Sequence, residues 1–229
     1  NDVESILVSS YTQGGNYDEA ISILESGGNY KDNITLQKVL YLKGITSYDS
    51  GDYSTSQLLF TRSIKIDKTT KITAKSLFWR GQSLFESGFF SAAQKSYDEY
   101  FKYVNKNNLK LNVTFWYEIG YTYFKLGNYP LAIECFKKQI ESNKIYLEGL
   151  KQELQLGERT TLDVLNGEQE LLESSLGLVM SYKDYFISYY ELLFHLGKLN
   201  AKDLNLNVIL FDDEKNYNSV KGKWLDIIE

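Results

Sequence analysis

One proline, one cysteine, one methionine and one histidine are all that 229 residues hold of these four types. The lone histidine, His195, stands near the end of a heptad-patterned stretch, far in sequence from Cys135, so no His/Cys dyad or metal cluster is expected. Phosphate-cradling glycine patterns are absent too, and the scattered carboxylates fall at solvent-facing positions, which excludes the common enzyme signatures. We expect no cofactor, no metal and no catalytic site. Cys135 has no internal disulfide partner and reads as a buried small apolar residue. Apolar runs never approach the roughly 20 residues of a membrane-crossing helix. The chain opens on Asn1 with no signal-like segment before its first pattern, which reads as a fragment or a processed product. No dense Lys/Arg stripe exists and the isoelectric point is near 5.1, which argues against nucleic acid as a partner.

The formal charge of −5 is unevenly spread. Residues 1–144 carry 17 basic and 15 acidic residues, a net of +2, whereas residues 145–229 carry 8 and 15, a net of −7. That asymmetry points to two parts.

The first part repeats. Gly44 and Gly51, Gly81 and Gly88, and Gly120 and Gly127 are pairs with one constant spacing, and each sits in the same frame. An aromatic follows the second glycine (Tyr53, Phe90, Tyr129), then a small residue (Ser56, Ala93, Ala132), then another aromatic (Phe60, Tyr97, Phe136). A degenerate first copy fits as Leu7, Val8, Tyr11, Gly15, Tyr17, Ala20 and Leu24. This frame resembles the tetratricopeptide repeat, which implies four helix pairs at about 1–34, 37–70, 74–107 and 113–144 stacked as a right-handed solenoid. Pro130 falls in the first turn of a helix, where its missing N–H costs little.

In such a solenoid the first helix of each pair lines the groove. Tyr41, Tyr48, Phe78, Phe85, Tyr117, Tyr121 and Phe124 are the positions expected there, an aromatic channel for a protein or peptide ligand. Clamps for a chaperone's carboxylate terminus place Lys, Asn and Arg at these positions, so a helical or extended apolar ligand fits better than an acidic tail. The alternative is that these aromatics pack against neighbouring repeats.

From Ile145 the frame fails. The stretch "LEGLKQELQLGERTTLDVLNGEQELLESSLGLV" and the later "YELLFHLGKLNAKDLNL" closely resemble the C-terminal portion of TolC-like outer-membrane channels of efflux pumps and type I secretion systems. The resemblance implies a turn at Leu156, Gly157, Glu158, Arg159 and Thr160, with Arg159 and Asp163 at positions that hold the channel entrance closed in that family. Asn166 departs from the second aspartate of many relatives. The residues themselves show a heptad seam of Leu165, Leu172, Val179, Phe186 and Leu193, beside a second stripe of Leu171, Leu178, Tyr185, Leu192 and Leu199. Within a hairpin, Arg159 and Asp163 would simply pair one turn apart.

The expected fold is all-α: a tetratricopeptide-repeat solenoid, then a short helix, a turn at 157–160, one long coiled-coil-like helix and an irregular acidic tail. A short terminal helix is expected around Tyr217 to Ile227. Two readings follow. One is a protein-protein interaction scaffold of the bacterial envelope, its repeats capped by the long helix. The other is a component of a TolC-like efflux or type I secretion channel, of which this chain holds only the C-terminal segment. A cap buries both heptad stripes within the chain, whereas a channel wall leaves them for self-association or a trimer. Location follows the resemblance: periplasm or outer membrane if it is functional, cytoplasm otherwise. No Pro/Gly/Ser-rich linker separates the parts, so the junction near Lys144 can run through a nearly continuous helix, whether the joining is natural or artificial.

Overall fold

A computed structural model describes residues 14–26 and 33–222, and every regular element among them is a helix. Leu7, Val8 and Tyr11 of the first repeat frame, and residues 223–229, lie outside the described residues. The chain divides into two compact units, up to Tyr182 and from Lys183 onward.

The first unit begins with α1 (Tyr17–Ser26) and three helical hairpins: α2 (Asn33–Asp49) with α3 (Tyr53–Ile66), α4 (Thr70–Glu86) with α5 (Phe90–Lys106), and α6 (Phe115–Lys125) with α7 (Tyr129–Gln155). The hairpin turns are chemically alike. The amides of Asp52, Phe89 and Asn128 donate 2.9 Å bonds to the carbonyls of Ser47, Leu84 and Tyr123, the six-residue closure of a helix C-terminus. That closure demands a left-handed residue, supplied by Gly51, Gly88 and Gly127 at φ of 79°, 79° and 71°. The Asp52 carboxylate then accepts from Thr55 N at 3.0 Å and caps α3.

Within each hairpin the other glycine admits an aromatic ring. A Cβ on Gly44 would meet the Phe60 ring at 2.7 Å, and one on Gly81 would meet the Tyr97 ring at 2.7 Å. Both rings are fully buried, each a contribution of ~1.5–3 kcal/mol from apolar burial. Between hairpins the contacts include buried polar pairs. Gln37 donates to Thr73 Oγ1 at 2.8 Å and accepts from Thr69 N at 2.8 Å, while the Ser56 and Ser83 hydroxyls bond at 2.9 Å.

The third hairpin departs from this scheme. Position 120 faces Cys135 Cβ at 3.1 Å, and Phe136 is farther away at 3.5 Å. α7 runs unbroken through Lys144 to Gln155, because nothing in "IESNKIYLEGLKQELQ" stops a helix before Leu156-Gly157. Residues 145–155 are therefore the second half of a repeat helix and not a short helix of their own. At Gly157 (φ 78°) the same closure recurs, Glu158 N to Glu153 O at 2.9 Å. α8 (Thr161–His195) follows and packs back on α7. Its buried face is made of Val164, Gly167, Ser174, Gly177 and Ser181. A Cβ on Gly177 would meet Phe136 at 2.6 Å, and one on Gly167 would meet Leu150 at 2.9 Å. Asn143 joins the helices by donating to Glu170 O at 3.1 Å and Ser174 Oγ at 3.0 Å, and it accepts from Gln139 at 2.8 Å.

The second unit holds the end of α8, a closure at Gly197, a turn capped by Asn200 Oδ1 (from Asp203 N, 2.9 Å) and α9 (Asp213–Val220). α9 starts earlier than the expected Tyr217 because Asp212 Oδ1 accepts from Lys215 N at 2.9 Å and sets its N-terminus. No described residue of this unit is buried.

Candidate functional site

The first helices α2, α4 and α6 bring the expected groove aromatics together, in two roles. Tyr48 packs edge-on against Trp79 at 5.0 Å, and Phe85 lies 5.6 Å from Tyr121, so these rings join successive hairpins. Tyr117, Tyr121 and Phe124 stack along α6 at 6.2 and 5.9 Å. Tyr41 and Phe78 do something else. They help to line a recess of about 620 Å³ whose floor is completed by Trp79 and Tyr100. Lys71 and Lys75 of α4 and Lys110 of the α5–α6 segment stand at its edge, and no Asp, Glu, His or Cys lines it among the described residues.

Tyr100 is held in place by its hydroxyl, which accepts from Asn112 N at 2.6 Å, and this bond also fixes the 108–112 segment that forms one wall. Sequence reasoning named the floor residues Tyr41 and Phe78 but missed Trp79 and the lysines. The signal was present: positions 71, 75, 78 and 79 share one helical face.

Beyond the recess, half-buried Glu118 of α6 is raised above the ordinary carboxylate pKa by burial, partly offset by a hydrogen bond from Gln82 and reinforced by Glu86. Burial, with Glu86 and Glu118 adding negative charge, pushes Tyr48 up to about 12. This stretch is acidic and aromatic where the recess is basic and aromatic.

In the C-terminal part, Arg159 and Asp163 do not pair. Arg159 Nε bonds Glu153 at 2.7 Å across the turn, and Asp163 accepts from Thr160 N at 2.9 Å and Thr160 Oγ1 at 2.8 Å. These bonds hold the Asp163 carboxyl below its usual pKa and close the α7–α8 turn. The heptad seam is not the face that α8 buries: Leu165, Leu172, Val179 and Phe186 are 55, 68, 63 and 52% exposed, and Leu193 is half-buried. Small residues win the contact because they let two helix backbones approach closely, as Gly177 does over Phe136.

Residues 113–142 match the family model of the tetratricopeptide repeat. A 96-residue stretch is 35% identical to the outer membrane efflux protein BepC of Brucella suis biovar 1 (strain 1330), covering 42% of this chain and 21% of that protein. The chain thus spans about a fifth of the length of this curated relative. Similar solved structures include MamA 41-end from Desulfovibrio magneticus RS-1, with TM-score 0.46 and 15% identity over 79% of this chain and 95% of that one. Another is a Podosopora anserina putative kinesin light chain with nearly identical TPR-like repeats, with TM-score 0.46 and 14% identity over 88% and 95%. The chain therefore carries a tetratricopeptide repeat at 113–142 and has partial similarity to an outer membrane efflux protein, which supports the TolC-like resemblance of its C-terminal segment.

Proposed function

We propose that the chain is a protein-interaction scaffold of the bacterial envelope, built on four tetratricopeptide repeats over residues 1–144, with its ligand held on the α2–α4–α6 face. The observation that carries this reading is the recess floored by Tyr41, Phe78, Trp79 and Tyr100. An apolar recess of this size suits a docked side chain. Its described lining residues offer no carboxylate, imidazole or thiol, which favours binding over catalysis. The envelope assignment draws on the partial likeness to BepC.

The test is site-specific photocrosslinking in cells, with the reactive group at Tyr41 or Trp79 and, as a control, at exposed Lys95 on α5. Adducts with a discrete protein from the first two positions and none from Lys95 are expected. Adducts from all three, or from Lys95 alone, would remove the groove from the reading.

A second reading has its own support. The exposed stripe Leu165, Leu172, Val179 and Phe186, together with the identity to BepC, favours a channel-component role in which this segment self-associates, up to a trimer.

A further inference from the structure

We infer that the recess is a specificity pocket for an acidic segment of a partner protein, one that places an aromatic or branched apolar anchor between carboxylates. The inference rests on the scaffold reading and names the chemistry of its ligand; with lysines lining the recess, it replaces the wholly apolar ligand expected from the aromatics alone.

The floor is apolar and rigid. Phe78 is buried, with Trp79 edge-on to it at 5.9 Å and Tyr100 at 5.5 Å, so a ring or branched side chain entering the recess meets preformed walls. About 620 Å³ takes one or two side chains. The edge is basic. Lys71, Lys75 and Lys110 are exposed and form no ion pair among the described residues, so their charges are available at the recess edge. Lys71 and Lys75 lie one turn apart on α4, on the face that carries Phe78 and Trp79, and Lys110 belongs to the 108–112 wall. Three cations around an apolar floor, with no carboxylate among the described lining residues, complement carboxylates that flank an apolar anchor. A nucleic-acid strand fits less well, because the lysines stop at the recess and the chain as a whole is acidic.

Selection of a random phage-displayed peptide library on the full chain tests this, with the K71Q/K75Q/K110Q variant as counter-target. All three lysines are exposed, and an unchanged circular-dichroism melt verifies the variant's fold. Enriched peptides are expected to carry Asp or Glu beside Phe, Leu or Ile. Synthetic copies should bind the variant about tenfold more weakly, the sum of three exposed charge contacts. Their Glu→Gln versions should bind both proteins alike. Enriched peptides without acidic bias, or with equal affinity for the variant, would overturn the inference and leave the scaffold reading standing. No enrichment at all would overturn both. Displacement of the peptides by oligothymidylate would assign the recess to single-stranded nucleic acid and overturn the inference.

Discussion

Gly177 sits on the ring of Phe136, so close that a Cβ at position 177 would come within 2.6 Å of Phe136 Cε1. Phe136 occupies the same place in its repeat as Phe60 and Tyr97, whose rings are received by Gly44 and Gly81 of their own hairpins. In the last hairpin the ring stands farther from its own glycine, 3.5 Å from a Cβ at position 120, and meets α8 more closely. The segment that resembles a channel wall thus docks on the repeats through the contact that the repeats use internally.

Gly177→Ala should therefore destabilise the chain by about 1–3 kcal/mol, because the buried ring cannot move aside without repacking. Gly149→Ala on α7, where a Cβ meets nothing within 4 Å, should stabilise by ~0.5–1 kcal/mol through helix propensity alone. Urea midpoints of the two variants moving in opposite directions would verify the docking, and a stabilising Gly177→Ala would refute it.

The repeat frame was legible because it is written in spacings that a linear reading detects: glycine pairs, the Gly-x-aromatic step and the aromatic that follows. The packing of α8 was not. Leucines at 165 and 172 and the valine at 179 form the more conspicuous pattern, yet the structure leaves them exposed and buries Gly167, Ser174 and Ser181, which share the same seven-residue period. Hydrophobic periodicity reports what needs cover, whereas close backbone approach is governed by small side chains that carry no hydrophobic signal. The lysine edge was hidden for a related reason: it lies off the groove positions expected from the aromatic spacing, and Lys110 reaches the recess only through the fold of the 108–112 segment.

Tyr97→Phe should be neutral or stabilising, by up to about 1 kcal/mol. The Tyr97 hydroxyl is buried and finds no hydrogen-bond partner among the described residues, and the equivalent residues in the neighbouring repeats are phenylalanines. Thermal denaturation decides the matter, since a marked loss of stability would mean that the hydroxyl has a satisfied role.

Glu118 gives the chain a specific pH response. Because its pKa is raised in the folded state, the native chain keeps a proton that the unfolded chain has released, so stability falls as pH rises past the ordinary value of 4.5. The fall ends once Glu118 ionises in the folded chain. Glu118→Gln should remove this component, so the variant gains on the wild type across that window and keeps a constant advantage at neutral pH. Denaturation midpoints of the pair measured from acid to neutral pH check the sign, and parallel curves would contradict it.

The combined variant L165E/L172E/V179E separates the two functional readings. Each site is more than half exposed, so unfolding midpoints should change little, within ~0.5 kcal/mol per site. If the stripe drives assembly, sedimentation velocity will show the wild type associating with concentration and the variant remaining a monomer. A wild type that stays monomeric throughout would withdraw support from the channel reading.

α7 runs from a stretch that matches the repeat model, which ends at residue 142, into the channel-like stretch with no loop between them. A chain cut at Lys144 would leave the Phe136 ring without Gly177, and would leave Asn143 without Ser174 and the Glu170 carbonyl. The two segments are therefore structurally interdependent: a deletion that discards the channel-like half also uncovers the final repeat, and the damage spreads into the half that was kept.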